Sequence, residues 1–248
     1  MSNLWYGFRY EEFQFDSRDA ILVFPDTPAE SSNIVLKTEY WGAYPDVEIQ
    51  LLKKGCHLAY IKNRTRFGTK EDCDTKAAFI KFLAAKYNLS EKCIPVGMSC
   101  GGAHAVRFAG YYPELIASMY IDAPVLNFCD FPGKWDGGKH DNVWDAEFVK
   151  AYPGIKHYQL MHFEHHPINM ADTLVANRIP VIMVYGKEDS TVIYEENGKL
   201  LEEAYAGTDL MKVIGVSARG HHPHGLLNYG PTIDNSEIVQ FLLDRRRS

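Results

Sequence analysis

The chain has no excess of basic charge. Its 26 lysines and arginines are outnumbered by 32 aspartates and glutamates, and the net charge of −6 argues against a nucleic-acid or anionic-membrane partner. No apolar run approaches the ~20 residues of a membrane-spanning helix. Met1-Ser2-Asn3-Leu4-Trp5-Tyr6 lacks the basic and apolar regions of a secretory leader. Cysteine is scarce: the five, Cys56, Cys73, Cys93, Cys100 and Cys129, are odd in number and lack metal-ligand spacing. Reduced thiols and a cytoplasmic location follow as expectations. Internal repeats and linker-like stretches are missing too, so one domain over residues 1–248 is the simplest organisation. The terminal Arg245-Arg246-Arg247 reads as a solvated tail.

What is present is ordinary in bulk and specific in one place. A hydrophobic content of 46% over 248 residues suffices for a sizeable core. The specific place is Gly97-Met98-Ser99-Cys100-Gly101, followed by Gly102. It fits G-x-S-x-G, in which a serine sits on a tight strand-to-helix turn that exposes its hydroxyl. Backbone crowds that turn, so a side chain two residues before or after the serine would clash. Ile94-Pro95-Val96 and its flanks supply an apolar run ahead of it, and Gly101 to Tyr112 reads as a buried helix ended by Pro113. Pro95 would remove a backbone donor from a central strand, so it is expected at the strand's start or at a bulge.

Elsewhere, strands are expected at Phe8–Phe15, Ala20–Phe24, His57–Ile61, Ser118–Ile121, Pro180–Tyr185 and Lys212–Ser217. Helices are expected at Val47–Lys54, Cys73–Tyr87 (capped by Asp72 or Asp74), Met170–Asn177, Tyr194–Tyr205 and Ser236–Arg245. Pro25-Asp26-Thr27-Pro28 opens a long loop. From about 127 to 169 the chain is rich in aromatics and histidine without periodicity, which suggests a small cap over the sheet. A strand pair followed by alternating strands and helices implies an α/β fold with a mostly parallel sheet covered on both faces. The apolar face of the last helix would serve the core or a homodimer.

Two carboxylates sit where strands end, Asp189 and Asp122, and the crevice at strand carboxyl ends is where α/β sheets hold their chemistry. Asp189 is favoured, on a longer and more polar loop with Gly186 giving room. A base must come from Ala218-Arg219-Gly220-His221-His222-Pro223-His224-Gly225. His221 stands first because Gly220 lets the loop bend back; His222 and His224 follow. Neither this cluster nor His157, His162, His165 and His166 has zinc-site spacing, so no metal is expected. Cys100 lies one residue past the apex, a poor position for a thiol nucleophile.

The order Ser99, Asp189, His221 resembles the α/β-hydrolase family from about Ala20 onward. A narrower resemblance is to a bacterial esterase-like subgroup with a G-M-S-R-G-G elbow, a D-A-P-V stretch and an H-H-P-H near the end. Here these read Gly97 to Gly102 with Cys100 in place of arginine, Asp122-Ala123-Pro124-Val125 and His221-His222-Pro223-His224. The resemblance implies a Ser-His-Asp triad working through an acyl-enzyme. It also implies an oxyanion hole built from the N–H of Cys100 and of Asp26 or Thr27. The expected activity is ester hydrolysis on a small-molecule substrate without a cofactor, with amide, peptide or C–C bond hydrolysis as alternatives on the same residues. A catalytically silent ligand-binding protein and a His-rich metal module are the rivals of other classes. Trp41, Tyr44, Trp135 and Trp144 are candidates to line the pocket, as are Phe148, Tyr158 and Phe163 of the cap.

Overall fold

A computed structural model describes residues 3–30, 33–130, 142–226 and 234–247. The amino-terminal strands β1 (Leu4–Trp5), β2 (Phe8–Phe15) and β3 (Arg18–Val23) pair antiparallel. Alternation then sets in: β4 (Ile34–Lys37), α1 (Asp46–Lys53), β5 (His57–Ile61), α2 (Lys70–Tyr87), β6 (Cys93–Met98), α3 (Cys100–Tyr111) and β7 (Met119–Asp122). The remainder comprises α4 (Asn142–Ala151), α5 (Ala171–Ala176), β8 (Val181–Gly186), α6 (Gly198–Ala204), β9 (Met211–Val216) and α7 (Ser236–Asp244). Among the described residues the sheet order is β1-β2-β3-β5-β4-β6-β7-β8-β9, and every pairing from β5 through β9 is parallel.

Helices cover both faces because the parallel strands are apolar on both. Leu36, Ile121 and Met183 pack under α2, α3, α5 and α6, whereas Val35, Val96 and Val184 pack under α1 and α7. The apolar face of α7 goes to this second layer: Ile238, Val239 and Leu242 are buried, each contributing about 2 kcal/mol by area. A third cluster joins Cys100 and Ala103 of α3 to Phe128, Phe148, Leu160 and Phe163. It sets Phe128, Phe148, Leu160 and Phe163 on the helix that follows Ser99.

The strand β4 lies within the stretch expected to be a loop. Its four residues are all buried, so no alternation marks it, and it inserts between β5 and β6. Thr69, rather than either aspartate, caps α2 by accepting from the Asp72 N–H. Pro95 sits inside β6, opposite Leu36, and not at its start. The Cys93 carbonyl accepts the Ala117 N–H, so a parallel ladder would next direct an N–H from position 95 to the Ala117 carbonyl. Proline has none, and the Arg247 N–H donates to that carbonyl instead, at 2.8 Å. The Arg247 side chain also donates to the carbonyls of Pro113 and Ile116, so this terminus is docked and not a solvated tail.

At the end of β7, Asp122 is fully buried. It accepts from both terminal nitrogens of Arg219, from His224 Nδ1 and from the Gly225 N–H. Burial alone would raise its pKa, but His224 and Arg219 outweigh it and hold the carboxyl at about 2. A folded pKa below the ordinary value of 3.8 contributes stability at neutral pH, which is lost as pH falls through about 2. Asp122→Asn should therefore destabilise the protein by about 3–5 kcal/mol in urea unfolding, since it leaves a buried guanidinium facing a neutral amide. The variant's stability should also vary less than the parent's between about pH 4 and 2. An unchanged denaturation midpoint would contradict this account.

Candidate active site

The cavity lies at a topological switch point. From β4 the chain passes through α1 to β5 on one side, and from β6 through α3 to β7 on the other. The two connections leave in opposite directions and open a crevice at the strands' carboxyl ends. Residues following β4 (Tyr40, Ala43, Tyr44) and ending β6 (Met98, Ser99) line it, and its volume is about 480 Å³.

Ser99 occupies the turn between β6 and α3 with φ 54° and ψ −122°, a strained conformation for a residue with a side chain. The Ser99 N–H donates to the Asp122 carbonyl, and its own carbonyl accepts from Gly102 and Val125, so the strain is held from both neighbouring segments. A Cβ on Gly97 would run into the Gly101 carbonyl and the Thr38 hydroxyl, which explains the glycine two residues before the serine. Four more non-glycine residues with positive φ follow strands at this edge: Tyr40, Tyr44, Ala123 and Ala218.

His221 Nε2 lies 3.1 Å from the Ser99 hydroxyl, and His221 Nδ1 lies 2.8 Å from Asp189 Oδ2. The other Asp189 oxygen accepts the N–H groups of Thr191 and Val192 at 2.8 and 2.9 Å. Burial pushes the Asp189 pKa up, but the hydrogen bonds from His221 and these amides prevail and hold it below the usual carboxylate value. An ionised carboxylate only accepts, so Nδ1 carries the imidazole proton and Nε2 is left to accept from Ser99. A Cβ on Gly186 would strike the carbonyls of Arg219 and Gly220, so glycine there lets the β8 loop approach the histidine loop closely. Asp122, the other candidate acid, is engaged with Arg219 and His224 instead. His222 lies by Tyr44, its pKa lowered by burial and by the neighbouring imidazoles.

The oxyanion loop needs correction. Because β3 runs antiparallel to β5, its carboxyl end lies beside the amino end of β5. Asp26 and Thr27 follow that end, and Thr27 lies against Gly55, at the opposite edge of the sheet from Ser99. The segment that does face Ser99 is 38–40, after β4. It is pinned by Asn63 Nδ2 donating to the Thr38 carbonyl, and by the Thr38 hydroxyl at 2.7 Å from the Gly101 carbonyl. Further along the loop, Lys37 Nζ donates to the Ala43 carbonyl at 3.1 Å. Cys100, the other backbone candidate, starts α3, where amide donors point outward.

Of the proposed lining residues, Tyr44 borders the cavity. Trp41 does not: its ring lies tilted against Trp5 of β1 and Tyr60 of β5, at 5.1 and 5.5 Å between ring centres. Trp135 and the Trp144 side chain lie outside the described residues. Phe148 and Phe163 are buried in the aromatic cluster of the 127–169 segment, and Tyr158 is exposed. Tyr40, Arg66 and Thr191 also line the cavity. Tyr40 could have been found by recognising β4; Arg66 carries no local signal. No grouping of three or more potential metal ligands occurs among the described residues.

Solved structures share this architecture. The chain aligns with a puromycin-hydrolyzing peptidase of Mycobacterium tuberculosis at a TM-score of 0.68 and 13% identity, over 89% of this chain and 37% of that one. A predicted CIB-like hydrolase from Thermoplasma acidophilum aligns at 0.53 and 16%, over 96% of both chains. The chain has the α/β-hydrolase fold. Porphyromonas gingivalis dipeptidyl peptidase 4 also shares the α/β-hydrolase fold, at a TM-score of 0.67 and 15% identity over 96% of this chain and 35% of that one. The chain spans about a third of the length of the two peptidases. No protein-family model matches it, and no curated protein sequence does. Within the α/β-hydrolase fold the described helices include none long and apolar enough to cross a membrane.

Cys100 is 1% exposed, and burial pushes its thiol up to about 12. Iodoacetamide at pH 8 should therefore leave Cys100 unmodified in the native protein while alkylating it after unfolding. Mass spectrometry locates the adducts, and native alkylation at Cys100 would revive the thiol as a nucleophile.

Proposed function

We propose that this protein is a serine hydrolase acting on carboxylic esters through an acyl-enzyme. The observation that carries the reading is the continuous hydrogen-bonded line from the strained Ser99 through His221 to the buried Asp189. In the proposed reaction the Ser99 oxygen attacks the acyl carbon while His221 Nε2 takes the hydroxyl proton. Asp189 holds the imidazole's tautomer and stabilises its charged form. The oxyanion that develops would meet the Cys100 N–H at the positive end of α3, with a second donor from Glu39 or Tyr40 on the loop after β4. Such donors contribute about 3 kcal/mol each. His221 then returns its proton to the leaving alcohol, and water repeats the sequence in reverse to release the acid. The 127–169 segment serves as a cap over the elbow helix in this reading. The elbow, Asp122-Ala123-Pro124-Val125 and His221-His222-Pro223-His224 together support membership of the esterase-like subgroup.

Amide hydrolysis on the same residues is the second reading, favoured by the names of the two peptidases that share the fold. A fluorophosphonate probe should label Ser99, located by mass spectrometry, and Ser99→Ala should abolish the label. Asp189→Asn should slow labelling by about ten-thousandfold, because the imidazole then settles in the wrong tautomer. A folded parent protein that stays unlabelled would favour the silent ligand-binding protein. Matched ester and amide substrates with one acyl group separate the two hydrolytic readings.

A further inference from the structure

The peptide that joins Thr38 to Glu39, directly after β4, is turned over. In a regular strand the N–H and the carbonyl of one residue point to the same neighbouring strand. At Thr38 they part. The N–H donates to the Val96 carbonyl of β6 at 3.0 Å, whereas the carbonyl accepts from Asn63, beyond the end of β5. A trans peptide directs its N–H away from its carbonyl, so the Glu39 N–H faces the β6 side, where the elbow begins. The Glu39 nitrogen lies 3.5 Å from the place a Cβ on Gly101 would take, next to Cys100. Both donors of Tyr40 are engaged elsewhere: its N–H bonds the Glu39 carboxylate, and its hydroxyl bonds the Cys100 thiol.

Asn63 holds this peptide over and is itself held. Its Nδ2 donates to the Thr38 carbonyl at 2.6 Å and to the Glu39 carboxylate, while its Oδ1 accepts from Lys76 Nζ. A carbonyl only accepts and an ammonium only donates, so the amide has one orientation. Lys76 is fully buried on α2, and its Nζ also donates to His104 Nδ1 on α3 at 3.2 Å. His104 Nε2 lies 2.9 Å from the Thr65 carbonyl. The segments after β4 and β5 and the helices α2 and α3 thus meet around one side-chain amide.

We infer that Asn63 is a positioning residue: by holding the Thr38 carbonyl it aims the Glu39 N–H at the oxyanion and makes Glu39, not Tyr40, the second donor beside Cys100. This rests on the serine hydrolase reading above. Without the anchor the peptide can turn back, and a carbonyl oxygen would then face the developing negative charge in place of an N–H.

The test uses the phosphonyl adduct that a fluorophosphonate forms on Ser99, whose phosphonyl oxygen stands where the oxyanion develops. Thr-Glu and Glu-Tyr each occur once in the sequence. Carbonyl-13C threonine with 15N-glutamate therefore marks the Glu39 amide alone, and carbonyl-13C glutamate with 15N-tyrosine marks that of Tyr40. On adduct formation the Glu39 amide proton should move downfield, as a donor to a strongly polarised oxygen does, and the Tyr40 proton should move less. Asn63→Asp sets a carboxylate oxygen against the Thr38 carbonyl. It should lower the maximal rate of Ser99 labelling by about a hundredfold, change the half-saturating probe concentration less than about twofold, and remove the downfield shift. A merely structural Asn63 would lower the urea midpoint and leave the labelling rate and the shift of the folded protein as they were. That result would overturn the inference, as would a parent adduct in which the Tyr40 amide moves and the Glu39 amide does not. Either leaves the hydrolase reading standing. A Ser99 that forms no adduct would overturn both, since no oxyanion then arises. The shift in the parent protein decides the matter even where the variant fails to fold.

Discussion

The ion pair between Asp122 and Arg219 ties the end of β7 to the loop that bears His221. Both groups are fully buried, and the pairing is completed by His224 and the Gly225 N–H on the same loop. A long loop after an edge strand would ordinarily be mobile. Here residues 219–225 are tied down by one carboxylate that cannot lose its partners without a heavy desolvation penalty. The same residue steadies Ser99, because the Asp122 carbonyl accepts the Ser99 N–H. Serine and histidine are thus referred to one fixed point, although 122 positions separate them in the chain.

Two aspartates at the ends of neighbouring strands have acquired different work from their surroundings. Asp122 meets a permanent cation and becomes structural, its charge fully matched. Asp189 lies one strand further out, where two amides and an imidazole are its partners. Those partners keep it ionised but leave the imidazole as its one partner able to gain or lose a proton. The carboxylate can therefore respond to the charge of His221, which a guanidinium-bound carboxylate cannot do as freely.

Five of the ten described non-glycine residues with positive φ lie at the strand ends around the cavity. Tyr40, Tyr44, Ser99, Ala123 and Ala218 all adopt positive φ without being glycine. Each such residue costs about 1–3 kcal/mol and persists where its surroundings over-determine it. The surroundings here are the two packed faces of the sheet and the buried polar anchors, Lys37 with Glu48 and Thr38 with Gly101.

The elbow was legible because its signal is local: glycine at 97 and 101 is demanded by contacts within a single turn, whatever the rest of the chain does. The alternation of strands and helices was legible for the same reason, and the strand-end segments bearing Ser99, Asp189 and His221 could each be read within one short window. What stayed hidden depends on residues far apart in the chain. The four buried residues of β4 show no alternation, so the loop facing Ser99 was sought after β3, whose antiparallel course delivers Asp26 and Thr27 to the wrong edge. Pro95 looked misplaced until Arg247 supplied the donor it lacks. Asp189 could be preferred to Asp122, but only the buried Arg219 separates their roles. By itself the sequence determined the element types outside β1, β4 and α4, and the candidate nucleophile, because periodicity and turn sterics act over a few residues. Tertiary structure alone decided strand order, the loop facing Ser99 and the place of Arg66 in the same cavity wall, because these follow from pairings between segments that no local pattern encodes.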